Sequence, residues 1–192
     1  RRNRPVTVHT GLYDRQDLID LLRSQKLAPT NRIETEELAL AEHALTFGDH
    51  KVHEHMIPRR AVRFVHAEEP LGPVLLSELH DSGLSRFPVK NDDDKIVGTL
   101  FLRELVEHRR GGIVSNVMRP DVYYVREDSS LVTVLDAFIK TKHHLFIAVN
   151  EFEEVVGIIT IEDVIEQLLG RKIMDEFDQY EDIRAVAKAQ AD

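Results

Sequence analysis

The chain has 192 residues, 42% of them hydrophobic and 31% charged, which is typical of a soluble globular protein with one domain or two small repeats. A net charge of −9 argues against DNA or RNA as the main partner, because neutralising phosphates needs a basic surface. The sequence has no cysteine and no run of about 18 apolar residues, which excludes disulfides, thiolate zinc sites and a membrane span within it. Because it opens with Arg1 in charged sequence, without a secretory signal, we expect a piece of a longer protein.

The first 49 residues predict two lead-in helices. Apolar side chains at helical spacing predict a helix over Gly11–Arg23, with Asp14 as its N-cap. After a polar loop the same spacing returns over Ile33–Thr46, and Gly48 is a candidate C-terminal cap. We therefore expect residues 1–49 to form a helical linker ahead of the main domain.

An internal repeat occupies most of the remaining chain. Met56-Ile57-Pro58-Arg59 is echoed about 60 residues later by Met118-Arg119-Pro120-Asp121, and Ile96-Val97-Gly98 is echoed by Val155-Val156-Gly157. Each copy predicts an extended segment, a helix, a strand, and a second strand that runs into a helix. In the first copy these are Val62–Val65, Pro73–Asp81, Phe87–Val89, Ile96–Leu100 and Leu102–His108. In the second copy they are Val122–Val125, Leu131–Lys140, Leu145–Val149, Val155–Ile159 and Ile161–Leu169.

The predicted order of elements is thus β-α-β-β-α, twice. We assign residues 50–110 to the first copy, 111–170 to the second and 171–192 to a C-terminal tail. A unit of about 60 residues has only a marginal core of its own. The two copies are therefore expected to bury their apolar sheet faces against each other, as one pseudo-symmetric α+β body.

Such a pair of repeats resembles two CBS domains, which together form a Bateman module. The motifs are similar to those of the CorC/HlyC (cyclin-M-like) group of magnesium and cobalt transport proteins. They are Val52, Met56-Ile57-Pro58-Arg59, Ser85-Arg86-Phe87-Pro88-Val89, the segment Thr160–Glu166, Gly170, Asp175-Glu176 and Phe177-Asp178. The resemblance implies a regulatory module that forms a homodimer through its CBS repeats. It also implies a transmembrane domain in the parent protein and a place at the cytoplasmic face of the membrane.

The chemistry of the second copy is concentrated where its last strand meets its last helix. Gly157, Thr160 and Asp163 are spaced Gly-x-x-Thr-x-x-Asp at this junction. A helix N-terminus attracts phosphate through its unpaired N–H groups and its dipole. The Thr160 hydroxyl can donate to a phosphate or ribose oxygen, and the Asp163 carboxylate can accept from ribose hydroxyls.

In CBS domains of this type, that spacing implies binding of an adenine nucleotide, ATP or AMP, with Mg²⁺ shielding the phosphates. Arg86 would supply positive charge to a polyphosphate, and the backbone of Ile57, Pro58 and Ile158 would lie beside the base.

Two alternatives stay open from the sequence. Thr-x-x-Asp is also the pattern of a helix capping box, and a capping threonine can still face a ligand. The module can equally be a purely structural dimerisation unit without a ligand. The first copy has Gly98, Phe101 and Glu104 at the matching positions. Because Phe101 cannot donate a hydrogen bond and would crowd the sugar, we expect only the second copy to bind nucleotide.

Other polar clusters predict no further site. His50 and His53 can share a helical face, but His55 would then point away, so we predict no metal site. Asp92-Asp93-Asp94 is typical of a solvated hairpin turn, and His143-His144 of a turn ahead of a strand. The sequence has no Gly-rich phosphate loop, Ser-His-Asp order or HExxH motif, so we predict that the chain is not an enzyme.

Overall fold

The computed structural model describes residues 13–29, 31–107 and 111–173. Its helices are α1 (Arg15–Lys26), α2 (Thr35–Thr46), α3 (Val52–His55), α4 (Pro73–Asp81), α5 (Leu102–Glu107), α6 (Leu131–Thr141) and α7 (Ile161–Leu169). Its strands are β1 (Ile57–Pro58), β2 (Val65–His66), β3 (Arg86–Lys90), β4 (Ile96–Phe101), β5 (Tyr124–Arg126), β6 (Leu145–Val149) and β7 (Val155–Thr160). Short 3₁₀ turns occupy Phe47–Asp49, Arg59–Ala61 and Val114–Asn116.

The strands form two sheets of matching design. One has the order β2-β3-β4 and the other β1-β7-β6-β5. In each copy a short strand pairs in parallel with the next strand, across a helix, and that strand pairs antiparallel with the last one. The predicted α+β fold of two repeats is confirmed.

Each copy donates its opening segment to the other copy's sheet. Ile57 pairs with Ile158, which makes β1 an edge strand of the second sheet. In the opposite direction, Arg119 and Thr99 exchange two backbone hydrogen bonds of 2.8 and 2.9 Å. The sequence did not predict this exchange, which ties the two copies together through their backbones.

The echoed glycines make room for the exchanged backbone. A Cβ added at Gly157 would lie under 3.0 Å from the Ile57 carbonyl oxygen, and one at Gly98 would lie 2.5 Å from the Arg119 carbonyl oxygen. Contacts that short force the backbone to shift. Packing therefore explains why both copies have glycine at this position: only a residue without a Cβ leaves room for the backbone of the other copy.

Three buried apolar clusters follow from this arrangement. One lies within the first copy around Leu79, Phe87 and Leu100, and a second lies within the second copy around Phe138 and Phe146. The third joins the copies and consists of Ile57, Val62, Leu145, Ile147 and Ile158. Partly buried Ile96 of β4 packs against this third cluster, so the two copies share one apolar contact region.

Both lead-in helices form, but α1 begins at Arg15 and continues to Lys26, three residues beyond its predicted end at Arg23. Asp14 caps α1 in a capping box, accepting from the Asp17 N–H at 2.8 Å, while the Asp17 carboxylate accepts from the Asp14 N–H at 3.1 Å. The prediction that Gly48 caps the second helix is wrong. Phe47 occupies the cap position and is buried in the second core cluster, so the chain continues into a 3₁₀ turn that contains Gly48.

Some predicted features differ or lie outside the described residues. The extended segment predicted from Val62 becomes strand only at Val65, because Arg59–Ala61 forms a 3₁₀ turn that ends at Val62. The end of the helix predicted to reach residue 108, residues 1–12 and residues 174–192 lie outside, so the domain boundaries stay predictions. Along the described ranges, no helix is both long and apolar enough to span a bilayer.

We predict that Gly157→Ala lowers the free energy of unfolding by about 1–3 kcal/mol, because its methyl group overlaps the Ile57 carbonyl. Urea denaturation measures the change. Gly48→Ala is the matched control, since its Cβ would make an ordinary 3.6 Å contact with Val132. Equal stability of the two variants would contradict the close approach.

Candidate functional site

The candidate site is the corner where β7 turns into α7. Thr160 is the last residue of the strand and the N-cap of the helix, with the extended φ of −106° and ψ of 162°. Val164 on α7 is buried in the second core cluster, and the Ile161 N–H donates to the His144 carbonyl at 3.1 Å. These contacts fix the start of α7 beside the start of β6.

Thr160 and Asp163 form a complete capping box. The Thr160 backbone N–H and hydroxyl both donate to Asp163 Oδ2, at 2.9 and 2.8 Å, and the Asp163 N–H donates to Thr160 Oγ1 at 3.2 Å. The capping interpretation of this motif is therefore confirmed. The expectation of open N–H groups needs correction, because the Ile161 and Asp163 amides already have protein acceptors.

The strand exchange brings the remaining predicted site residues of the two copies together. Pairing of β1 with β7 places Ile57 opposite Ile158 and Pro58 opposite Gly157. The Ile57 and Ile158 side chains are buried between the copies. Any contact of these residues with a ligand would therefore come from their backbone.

Arg86 lies at the start of β3 in the first copy and reaches across to the second copy. One of its terminal nitrogens donates to Glu162 Oε1 at 3.4 Å, and the other lies 3.1 Å from His144 Nδ1. Glu162 stands between Thr160 and Asp163 in the first turn of α7. The structure thus brings Arg86 to the predicted corner, but through a carboxylate that the sequence reasoning passed over.

Glu162 and His144 are the two residues of this corner that were missed. The available signal was a second acid in the first turn of α7, directly before Asp163. Its cationic partner comes from the other copy, so local sequence gives no indication of it.

The Arg86–Glu162 ion pair is poorly satisfied. Only one contact joins the two groups, while Arg86 Nε and Glu162 Oε2 are buried and lack a hydrogen-bond partner among the described residues. A buried polar atom without a partner costs about 1–3 kcal/mol. One buried donor of the guanidinium is therefore left without an acceptor oxygen among the described residues.

In the matching corner of the first copy, three arginines stand close to Phe101. The guanidinium carbons of Arg86, Arg103 and Arg119 lie 5.7, 5.1 and 4.6 Å from the centre of the Phe101 ring. Arg119 also donates to Glu104 at 3.2 Å. Phe101 thus sits under cationic side chains where the second copy has a hydroxyl.

The histidines are arranged differently from the prediction. His50 and His55 lie together with Glu54, whereas the His53 ring lies 3.1 Å from the Glu127 carbonyl oxygen. The predicted sharing of one helical face by His50 and His53 is wrong, because α3 begins only at Val52 and His50 precedes it in an extended conformation.

The acidic turn is ion-paired as well as exposed. Asp94 accepts hydrogen bonds of 2.7 Å from both Lys90 and Arg59, and the Lys90 contact is the main cause of its lowered pKa. Asp92 lies 3.1 Å from His66. The turn therefore also anchors Arg59 of the opening motif, which the prediction of a solvated hairpin did not include.

Comparison with known proteins identifies the class. The sequence model of the CBS-domain family matches residues 52–111 and 114–170, and these ranges contain both sheets. The chain therefore belongs to the CBS-domain family, as a tandem pair of domains.

Within that family the similarity is to magnesium and cobalt transport proteins. The chain is 31% identical over 182 residues to the magnesium and cobalt efflux protein CorC of Vibrio cholerae, covering 91% of this chain and 61% of the relative. The curated relatives are longer, since the chain spans between 41% and 61% of their length.

Two solved structures are similar in fold and sequence. The CBS domain of a bacterial CNNM/CorC family Mg²⁺ transporter has a TM-score of 0.72 at 27% identity, covering 85% of this chain and 100% of that one. A CBS domain of the bacterial CNNM/CorC family in complex with ATP has a TM-score of 0.64 at 28% identity, covering 71% and 99% respectively.

We predict that Thr160→Ala lowers the free energy of unfolding by about 1 kcal/mol without any ligand, because the N-cap of α7 is lost. Thr160→Ser, which keeps the hydroxyl, should retain most of the stability. Chemical denaturation of both variants tests the capping role. Equal losses in the two would show that the methyl group, not the cap, matters.

Proposed function

We propose that this chain is the regulatory, adenine-nucleotide-binding CBS pair of a membrane-associated transport or efflux protein for divalent cations such as Mg²⁺ or Co²⁺. Its place would be the cytoplasmic face of the membrane, next to the transmembrane domain of the parent protein. Similarity to the CorC proteins and to a CBS domain solved in complex with ATP supports this assignment. The observation that carries it is Arg86, a poorly satisfied cation at the first turn of α7.

In the proposed complex the ribose binds Asp163 and the phosphates bind Arg86. An ionised carboxylate accepts roughly four hydrogen bonds, so capping and ribose binding are compatible roles for Asp163. A guanidinium binds phosphate oxygens in a bidentate manner, which is stronger than its present single contact with Glu162. Mg²⁺ on the phosphates would reduce their repulsion from the acids of this turn.

The proposal places one nucleotide in each chain, in the second copy. In the first copy the hydroxyl-bearing residue is replaced by Phe101, and arginines cover its ring. A ribose there would meet an aromatic ring instead of a hydrogen-bonding group.

Helix α7 offers a route from the corner to the lead-in helices. Its far end is closed by Gly170 in the left-handed conformation, with φ of 67°, and a Cβ at that residue would collide with the His43 ring of α2. A shift of α7 on nucleotide binding would therefore press on α2. Its size is limited by the nucleotide's differential affinity for the two arrangements. In the proposed homodimer, formed through the CBS repeats, this shift would pass to the membrane part.

A purely structural dimerisation module is the second candidate function. It is favoured by one observation, that the protein itself supplies partners for Thr160, Asp163 and Arg86 in this corner. The two candidates differ in whether nucleotide binds at all.

We expect calorimetric titration with ATP and AMP, with and without Mg²⁺, to detect one site per chain. Asp163→Asn should weaken binding at least tenfold, because it removes the acceptor charge that holds the ribose while preserving side-chain size. Glu104→Gln is the matched control, since it makes the same change at the equivalent position of the first copy.

A titration without binding would contradict the proposed function. Absence of heat at millimolar nucleotide, with an unchanged Tm, would leave the structural module as the function. Light scattering would then show a dimer that is indifferent to ATP.

We also expect Glu162→Gln to strengthen ATP binding about fivefold, equivalent to roughly 1 kcal/mol, because the competing carboxylate no longer holds Arg86. Adenosine, which has no phosphate, should bind this variant no better than the wild type. A gain shared equally by ATP and adenosine would show that Arg86 does not face the phosphates.

A further inference from the structure

Three ligand-type side chains converge where the lead-in helices join the repeats. His55 Nε2 lies 3.1 Å from His50 Nδ1. Glu54 Oε2 lies 3.5 Å from the same His50 nitrogen and 3.7 Å from His55 Nε2. Three different side chains thus each place one potential ligand atom within 3.7 Å of the other two.

The size of this triangle fits a small transition-metal ion. Ligand atoms about 2.0–2.1 Å from a tetrahedral ion lie roughly 3.3 Å from one another, which is within the observed range of 3.1–3.7 Å. Two imidazoles and one carboxylate are also the ligands of zinc sites that keep a fourth position open for water or another group.

We propose that His50, Glu54 and His55 form a binding site for a transition-metal dication such as Zn²⁺ or Co²⁺. Imidazole ligands favour these ions, whereas Mg²⁺ requires a near-octahedral set of oxygen atoms. The site should therefore discriminate against Mg²⁺. It is separate from the nucleotide corner and does not depend on it.

The backbone holds this segment in place. The Leu131 N–H donates to the His50 carbonyl at 3.0 Å, and the Val52 and His53 N–H groups donate to the second-copy carbonyls of Ser129 and Glu127, at 3.0 and 2.9 Å. The ligand segment is therefore attached to the second copy at three points. His50 before Val52, and Glu54 and His55 after it, are therefore already close together before an ion binds.

The Glu54 carboxylate is fixed in orientation and charge. Its Oε2 accepts from the Lys51 N–H at 3.0 Å, and this backbone hydrogen bond is the main cause that lowers the pKa of Glu54. The two nearby histidines lower it further.

The site is reachable yet sheltered. The His55 side chain is 14% exposed, and those of His50 and Glu54 are 37% and 44% exposed. Without an ion, the facing His50 and His55 nitrogens form one hydrogen bond, with one nitrogen donating and the other accepting. To bind an ion through both of these nitrogens, the donating ring would carry its proton on its other ring nitrogen, so that both imidazoles stay neutral.

The position of the proposed metal site determines what a bound ion would do to the structure. The preceding turn is held to α1 by the ion pair of Asp49 with Arg15, at 2.8 Å. An ion bound to His50 on one side and to Glu54 and His55 on the other would cross-link this joint. It would stiffen the connection between the lead-in helices and the repeats.

The test is a titration of the 192-residue chain with Co²⁺, followed by its visible ligand-field absorption, and then by competition with Zn²⁺. We expect one equivalent with the intense bands of a tetrahedral site, displaced by Zn²⁺ and unaffected by millimolar Mg²⁺. His50→Ala and His55→Ala should each weaken binding at least tenfold. Glu54→Gln, which keeps an acceptor for the Lys51 N–H, should weaken it with the fold intact.

His53→Ala is the matched control, because its ring faces the Glu127 carbonyl and not the cluster. The chain has 10 histidines, so the control separates this site from general surface binding. Far-UV circular dichroism and the metal-free Tm confirm that each variant is folded. Absence of tetrahedral Co²⁺ bands, or equal loss of binding in His53→Ala and His55→Ala, would overturn the proposal.

Discussion

The contact of the Ile57 carbonyl with the α-carbon of Gly157 is the constraint on which the rest of this structure depends. It exists because each copy completes the other's sheet, and only glycine leaves room for the crossing backbone. The exchange turns two units with marginal cores into one body with a shared third cluster. It also makes the candidate site composite, since β1 and Arg86 come from the first copy while α7 comes from the second.

Elements with local signals could be predicted from sequence almost to the residue. Helix α4 has proline at its first position, and α7 begins with a threonine cap and ends with a left-handed glycine. Strand β1 could not be predicted, because two residues carry no periodicity and one of them is Pro58. Its partner strand lies in the other copy, so nothing nearby in sequence indicates the pairing.

The polar clusters also divide into those that follow from local spacing and those that depend on how the two copies pack. The Thr160–Asp163 capping box spans three residues and follows from spacing alone. The contact of Arg86 with Glu162 depends on how the two copies face each other, which local sequence does not encode. The His50–His55 contact was hidden for a different reason. The prediction placed His50 on a helical face, whereas its ψ of 140° is that of extended chain and its ring contacts the His55 ring.

The corner of the second copy has an internal carboxylate where a ligand's phosphate would be expected. Glu162 offers Arg86 one long contact, and within the described part of the chain a buried nitrogen of that arginine has no partner, so the ion pair is weak. A weak internal partner has a physical advantage over none, because it limits the cost of an isolated charge while remaining easy to displace. Nucleotide binding would then exchange one anion for another around Arg86. Glu162 belongs to α7 and Arg86 to β3, so the loss of their contact would weaken the attraction between the two copies at the start of α7. The other end of the same helix lies against α2.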